Sequence, residues 1–89
     1  MVKKRERLEI IRDILLVIRE KRRIKPTRLL YSSNLSPQMF KEYVSNLERK
    51  GLVKSELEKG KKFFLLTAKG FQFLEEYRTI ENFIQNFGL

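Results

Sequence analysis

The sequence predicts a mainly α fold with one small β-hairpin, in the order α-α-α-β-β-α. Three observations carry that prediction. Apolar residues fall at helical spacing through the first half, a glycine-containing turn parts two β-favouring runs near residue 60, and helical spacing then returns to the C-terminus. At 89 residues, with 42% hydrophobic and 11% aromatic side chains, the chain is sized for one globular domain with a modest core.

The first helix is expected over about residues 6–22. Leu8, Ile11, Ile14, Leu15 and Ile18 share one face, which Ile10 and Val17 widen. Lys21, Arg22 and Arg23 suit its C-terminal end, where the macrodipole favours cations. A second, short helix begins around Pro26, well placed in a first turn, and carries Thr27, Leu29, Leu30 and Tyr31 before Ser32, Ser33 and Asn34 break the pattern. Ser36 is a good N-cap for the third helix, with Pro37 in its first position and Gly51 where a glycine just past a C-terminus belongs. Met39 or Phe40, Tyr43, Val44 and Leu47 form its buried face. Only about three residues, 34–36, separate helices two and three, which is the spacing of a helix-turn-helix.

Past Gly51 the helical pattern stops. LVKSELEKGKKFFLLT predicts a strand over 52–57, a tight turn at Glu58-Lys59-Gly60-Lys61 and a second strand over 62–66, a hairpin with a basic tip of the kind called a wing. Thr67 then caps a last helix running from about Ala68 to Phe87. Residues 1–67 are expected to form the body and 68–89 a C-terminal helix, the two making one structural unit.

Composition excludes several classes. No run approaches the roughly eighteen apolar residues of a membrane span, and the N-terminus MVKKRERLEI lacks the apolar segment of a secretory signal. There is no Cys, which excludes disulfides and thiolate metal sites and fits an intracellular protein. With no His either, the commonest general base and metal ligand is missing along with the best nucleophile. The remaining carboxylate pairs, Glu75 with Glu76 and Glu56 with Glu58, either diverge on a helix or flank a turn in solvent. The expectation is therefore no enzyme, no metal, no cofactor and no membrane partner. No small-molecule pocket is evident in so short a chain.

Charge supplies the positive signal. The formal net charge is +9, but residues 70–89 hold one cation, Arg78, against Glu75, Glu76 and Glu81, which leaves +11 on residues 1–69. A basic body joined to a mildly acidic, apolar tail predicts two surfaces for two kinds of partner.

The combination TRLLYSSNLSPQMFKEYVSNLERKGLV followed by FFLLTAKGFQFLEEY resembles the archaeal winged helix-turn-helix family typified by the small ten-kilodalton chromatin proteins of Sulfolobus. That family opens its recognition helix on a Leu-Ser turn, enters the wing through Gly-Leu-(Val/Ile) and opens a long C-terminal helix on Leu-Thr-x-x-Gly. Here these stand as Leu35-Ser36, Gly51-Leu52-Val53 and Leu66-Thr67-Ala68-Lys69-Gly70, and the resemblance covers essentially the whole chain. Each motif alone is weak; the ordered set is fairly specific. The resemblance implies a winged helix-turn-helix that binds double-stranded DNA and dimerises through an antiparallel coiled coil of its last helices. The final helix here is short for that role.

Both implications have counterparts in the residues. The exposed face of the third helix, about residues 37–50, comprises Gln38, Lys41, Glu42, Ser45, Asn46 and Arg49, with Ser36 at its start. In helix-turn-helix docking the N-terminal part of such a helix meets base edges in the major groove. Gln38 suits adenine, Lys41 guanine or phosphate, and Ser45 a base or phosphate; Glu42 is the awkward member, since it repels phosphate. Lys54, Lys59, Lys61 and Lys62 around a wing at about 57–62 suit the phosphate backbone. Arg28 lies near the start of the second helix, whose N–H groups favour phosphate. Lys25 and a basic arm of Lys3, Lys4 and Arg5 are further candidates. In the last helix Phe73, Tyr77, Ile80, Ile84 and Phe87 are spaced 4-3-4-3, an a/d seam of roughly two heptads. Phe71 and Leu74 lie off it and are expected to pack on the body.

These readings converge on a non-enzymatic, homodimeric double-stranded DNA-binding protein, cytoplasmic and nucleoid-associated, acting as a transcription regulator or as a sequence-tolerant chromatin protein. The alternatives are a winged-helix protein–protein interaction module, against which the +11 body argues unless the partner is acidic, and an RNA binder, which needs exposed aromatics for stacking. The Tyr and Phe residues are expected in core or seam instead.

Overall fold

Ile10, Ile14, Leu15 and Ile18 recur on one side of α1 (Arg7–Lys21), and burying that side with residues of three further helices and a hairpin creates the core. The computed structural model describes residues 7–88, so the expected start of α1 at residue 6 and the basic arm Lys3, Lys4 and Arg5 lie outside the described residues. The remaining elements are α2 (Pro26–Ser33), α3 (Pro37–Arg49), β1 (Val53–Glu58), β2 (Lys61–Leu66) and α4 (Ala68–Asn86), the predicted order. Leu8, expected on the buried face of α1, is instead 54% exposed. Leu8 stands one heptad before buried Leu15 on the same side, but in the first turn of α1, ahead of the first buried residue, Ile10.

Local chemistry sets the helix-turn-helix. The Ser33 hydroxyl donates to the Leu30 carbonyl at 2.7 Å and accepts from the Leu35 N–H at 3.2 Å, so this buried serine is satisfied on both sides. Asn34 takes the left-handed conformation that ends α2, one of the few non-glycine types that does so readily. Ser36 then caps α3, its Oγ accepting from the Met39 N–H at 3.2 Å. Phe40, Val44 and Leu47 are buried, whereas Tyr43 is half-buried and Met39 is turned outward.

The hairpin pairs antiparallel from Val53 with Leu66 to Glu58 with Lys61, leaving Lys59-Gly60 as a two-residue turn. Both turn residues have positive φ, 53° and 78°, the geometry that matches the twist of the flanking strands. One further pairing leaves no signal in the sequence. Ile24 pairs with Phe64 through N–H···O bonds of 3.1 and 2.8 Å in the two directions, adding a third, one-residue strip at the edge of β2.

Helix α4 docks by its first turn. Thr67 Oγ1 accepts from the Gly70 N–H at 3.1 Å and donates to the Gly51 carbonyl at 2.6 Å, while Lys69 Nζ donates to the Lys50 carbonyl at 2.8 Å. A Cβ on Gly70 would sit 2.3 Å from the Leu52 carbonyl oxygen, so only glycine lets the helix start so close to the wing. Leu74 is buried as expected, but Phe71, on the flank of the helix beside it, is 48% exposed, because the body covers the side of Gly70 and Leu74. Farther along, Arg12 binds both Asp13 and Glu81 and lies 5.4 Å from the centroid of the Tyr77 ring, tying α1 to α4. Burial works against the Arg12 charge, yet its bonds to Asp13 and the nearby Glu81 hold the guanidinium above its ordinary value; burial likewise pushes the Tyr77 phenol up.

Beyond Glu81, α4 projects. The radius of gyration is 14.0 Å and the long dimension 49 Å, against about 12 Å expected for a compact chain of this length. Among the described residues, no helix is long and apolar enough to cross a membrane.

Candidate nucleic-acid interface

With Phe40, Val44 and Leu47 inward, the helical repeat places Gln38, Glu42, Ser45 and Arg49 along the opposite side of α3 at intervals of four, three and four residues. Gln38, Glu42 and Ser45 are exposed. Lys41 flanks this stripe, also exposed, and Ser36 lies exposed at its N-terminal end. The stripe thus alternates amide, carboxylate, hydroxyl and guanidinium. Asn46, expected on the same exposed face, is half-buried at its margin. It lines a hollow with Arg7, Glu42, Tyr43 and Arg49, and among the described residues its Oδ1 is buried without a hydrogen-bond partner. Arg7 reaches the same place from α1, its guanidinium 5.4 Å from the centroid of the Tyr43 ring.

The wing lysines are all exposed but do not form one cluster. Strand alternation and the register put Lys54 and Lys61 on the outward face with Phe63, Lys62 on the same face as buried Phe64, and Lys59 in the turn. Lys62 Nζ lies 5.1 Å from the Phe64 ring centroid. Glu56 and Glu58, expected to be simply solvated, pair with Lys54 (3.6 Å) and with Arg23, so the wing carries mixed charge rather than a uniform basic edge. Such exposed pairs contribute about 0–1 kcal/mol each.

Arg28 is exposed near the start of α2, but the structure does not bring it to the α3 stripe. It gathers instead with Lys21, Arg23 and Lys25 around Phe63. Arg23 was missed by sequence reasoning, since its partners Glu58 and Phe63 lie 35 or more residues away with no local signal.

On α4 the expected seam divides in two. Phe73 packs at the edge of the core and Tyr77 is half-buried beneath Arg12, whereas Ile80, Ile84 and Phe87 are 58%, 39% and 65% exposed. Phe83, not placed on the seam by its heptad spacing, is 60% exposed, with its ring centroid 4.7 Å from that of Phe87. The expectation that every Tyr and Phe lies in core or seam also fails at Tyr31, which stands 78% exposed on α2 because only Leu29 and Ser33 of that helix turn inward.

Residues 4–85 match the family described as winged helix-turn-helix. The chain belongs to that family. Among solved structures this winged helix is similar to Sso10a-2, a DNA-binding protein from Sulfolobus solfataricus, with a TM-score of 0.77 and 22% identity over 93% of this chain and 85% of that one. It is also similar to MarR from E. coli in a crystal with operator DNA (TM-score 0.68, 20% identity, 74% of this chain and 49% of that one). A third likeness is to MepR, a transcription regulator of a Staphylococcus aureus multidrug efflux pump (0.76, 16%, 86% and 59%). The winged helix therefore spans about half to three fifths of the MarR and MepR chains. At these identities the likeness concerns the fold. A comparison with curated protein sequences gave no match.

Proposed function

We propose that this winged helix is a non-catalytic binder of double-stranded DNA that works as a homodimer and reads the duplex mostly through its backbone. The observation that carries the proposal is the outward stripe of α3. Gln38, Ser45 and Arg49, with Lys41 beside them, stand on a rigid, capped helix and include donors for both base edges and phosphates. Lys59 at the wing tip and Lys61 and Lys62 next to it add flexible cations suited to phosphate. The +11 of residues 1–69 supplies long-range attraction to a polyanion. Support also comes from Sso10a-2, described as DNA-binding, and from MarR, which was crystallised with operator DNA.

The dimer part of the proposal rests on residues 68–89. Exposed Ile80, Phe83, Ile84 and Phe87 make an apolar strip that water solvates poorly, and a second copy running antiparallel covers both strips at once. The tail's net −2 means that two such strips meet without the cationic repulsion the bodies would impose. Two winged helices held at fixed separation then act as one bivalent binder.

The test is binding to random and to selected duplexes across a salt series. Backbone-dominated binding gives a steep fall of affinity with salt and a small specificity ratio. A large ratio for a selected site would shift the reading to a site-specific regulator, and no binding at low salt would refute it.

A further inference from the structure

Arg23 belongs to neither the α3 stripe nor the wing tip. It lies just before Ile24, whose pairing with Phe64 fixes this segment at the edge of the wing. Its guanidinium stands 4.3 Å from the centroid of the Phe63 ring and pairs with Glu58 on the opposite strand of the hairpin. Phe63 points to the outward face of the wing, away from the core side occupied by Phe64. Two hollows meet at that ring. One is bordered by Lys21, Arg23, Lys25 and Arg28, the other by Arg23, Glu58, Lys59 and Lys61. Six cations therefore edge a furrow whose floor is Phe63, and Glu58 is the carboxylate among its lining residues.

So many like charges in one furrow call for a polyanion rather than a single counter-ion. The ring beneath Arg23 limits where its guanidinium can go and keeps it presented at the furrow. Glu58 meanwhile holds that guanidinium through an ion pair in which both side chains are about half exposed, 49% and 52%, a kind of pair that is individually weak. A phosphate offers Arg23 two parallel N–H···O bonds and brings its neighbours to the remaining lysines.

We propose that this furrow takes a stretch of the DNA sugar-phosphate backbone beyond the part met by α3, and that Glu58 is a built-in competitor that phosphate displaces from Arg23. This rests on the DNA-binding reading above. Glu58 thus moderates affinity, and Arg23 is the group through which it does so.

The experiment compares wild type, Glu58→Gln, Glu56→Gln, Arg23→Ala and the Arg23→Ala/Glu58→Gln double variant on one random duplex over a salt series, with a thermal melt confirming that each is folded. Glu58→Gln should bind about two- to fivefold tighter at low salt, with a salt slope steeper by about 0.9. Glu56→Gln removes the same charge from the same strand but frees Lys54 instead, and should give less than half that gain. In the Arg23→Ala background the gain from Glu58→Gln should vanish. An unchanged or weaker Glu58→Gln, an equal gain from Glu56→Gln, or a gain that persists without Arg23 each overturns the inference while leaving the DNA-binding reading in place. Failure of the wild type to bind any duplex at low salt overturns that reading as well.

Discussion

Helices α3 and α4 both start on a hydroxyl cap, Ser36 accepting from the Met39 N–H and Thr67 from the Gly70 N–H, and both bury an apolar face, yet they turn opposite chemistry to solvent. Outside its Phe40, Val44 and Leu47 face, α3 shows amide, hydroxyl and cationic groups with one exposed carboxylate, Glu42. Outside its contact with the body at Leu74 and Tyr77, α4 shows Ile80, Phe83, Ile84 and Phe87. A capped helix with a polar outer face is complete in water and ready for a hydrated partner. One whose apolar stripe runs on past the body has buried only part of what its sequence asks for. In the function proposed above, the nucleic acid goes to α3 and the second protein surface to α4.

The largest effect should come from breaking the α4 half. Ile80→Lys would bring ammonium groups of two copies into a desolvated seam, at a cost of at least about 3 kcal/mol. The variant should sediment as a monomer, keep most of its helical signal and lose about 100-fold in DNA affinity as bivalency disappears. A wild type that is already monomeric at tens of micromolar would return the strip to some other role. Next in size is the wing: replacing Lys59, Lys61 and Lys62 together by Ala should weaken all duplexes alike and lower the salt slope by up to about three units. Unchanged binding would place the hairpin away from DNA.

Smaller effects sharpen how the two helices are mounted. On helix propensity alone Gly70→Ala should stabilise α4 by about 1 kcal/mol. The Leu52 carbonyl, 2.3 Å from the added carbon, reverses the sign, and the expected outcome is a loss of about 1–3 kcal/mol in a urea melt. Ser36→Ala should cost about 1 kcal/mol by removing the α3 cap, read as a lower melting temperature with the fold retained.

Sequence logic reached the element order because its signals are local. Pro26 and Pro37 in first turns, Ser36 and Thr67 as caps, and Lys59-Gly60 between alternating runs each act within a few residues. The Ile24 bridge escaped because a one-residue strip has no periodicity to detect. Arg23 escaped because its partners, Glu58 and Phe63, are brought near only by that bridge. Phe83 and Phe71 show the limit of counting heptads: which side of a helix is covered depends on where its neighbours end, and the body ends before Phe83. The candidate α3 face was legible apart from Asn46, whose half-burial comes from packing beside Tyr43 and Arg7.

The most direct measurement of the central claim is the change in backbone amide resonances on adding a short random duplex at low salt. The account predicts the largest shifts over residues 36–49, strongest at Gln38, Lys41, Ser45 and Arg49, with a second set at 59–62, while Ile80 to Phe87 stay nearly still. Shifts concentrated on the exposed strip of α4, with the α3 stripe unmoved, would contradict it.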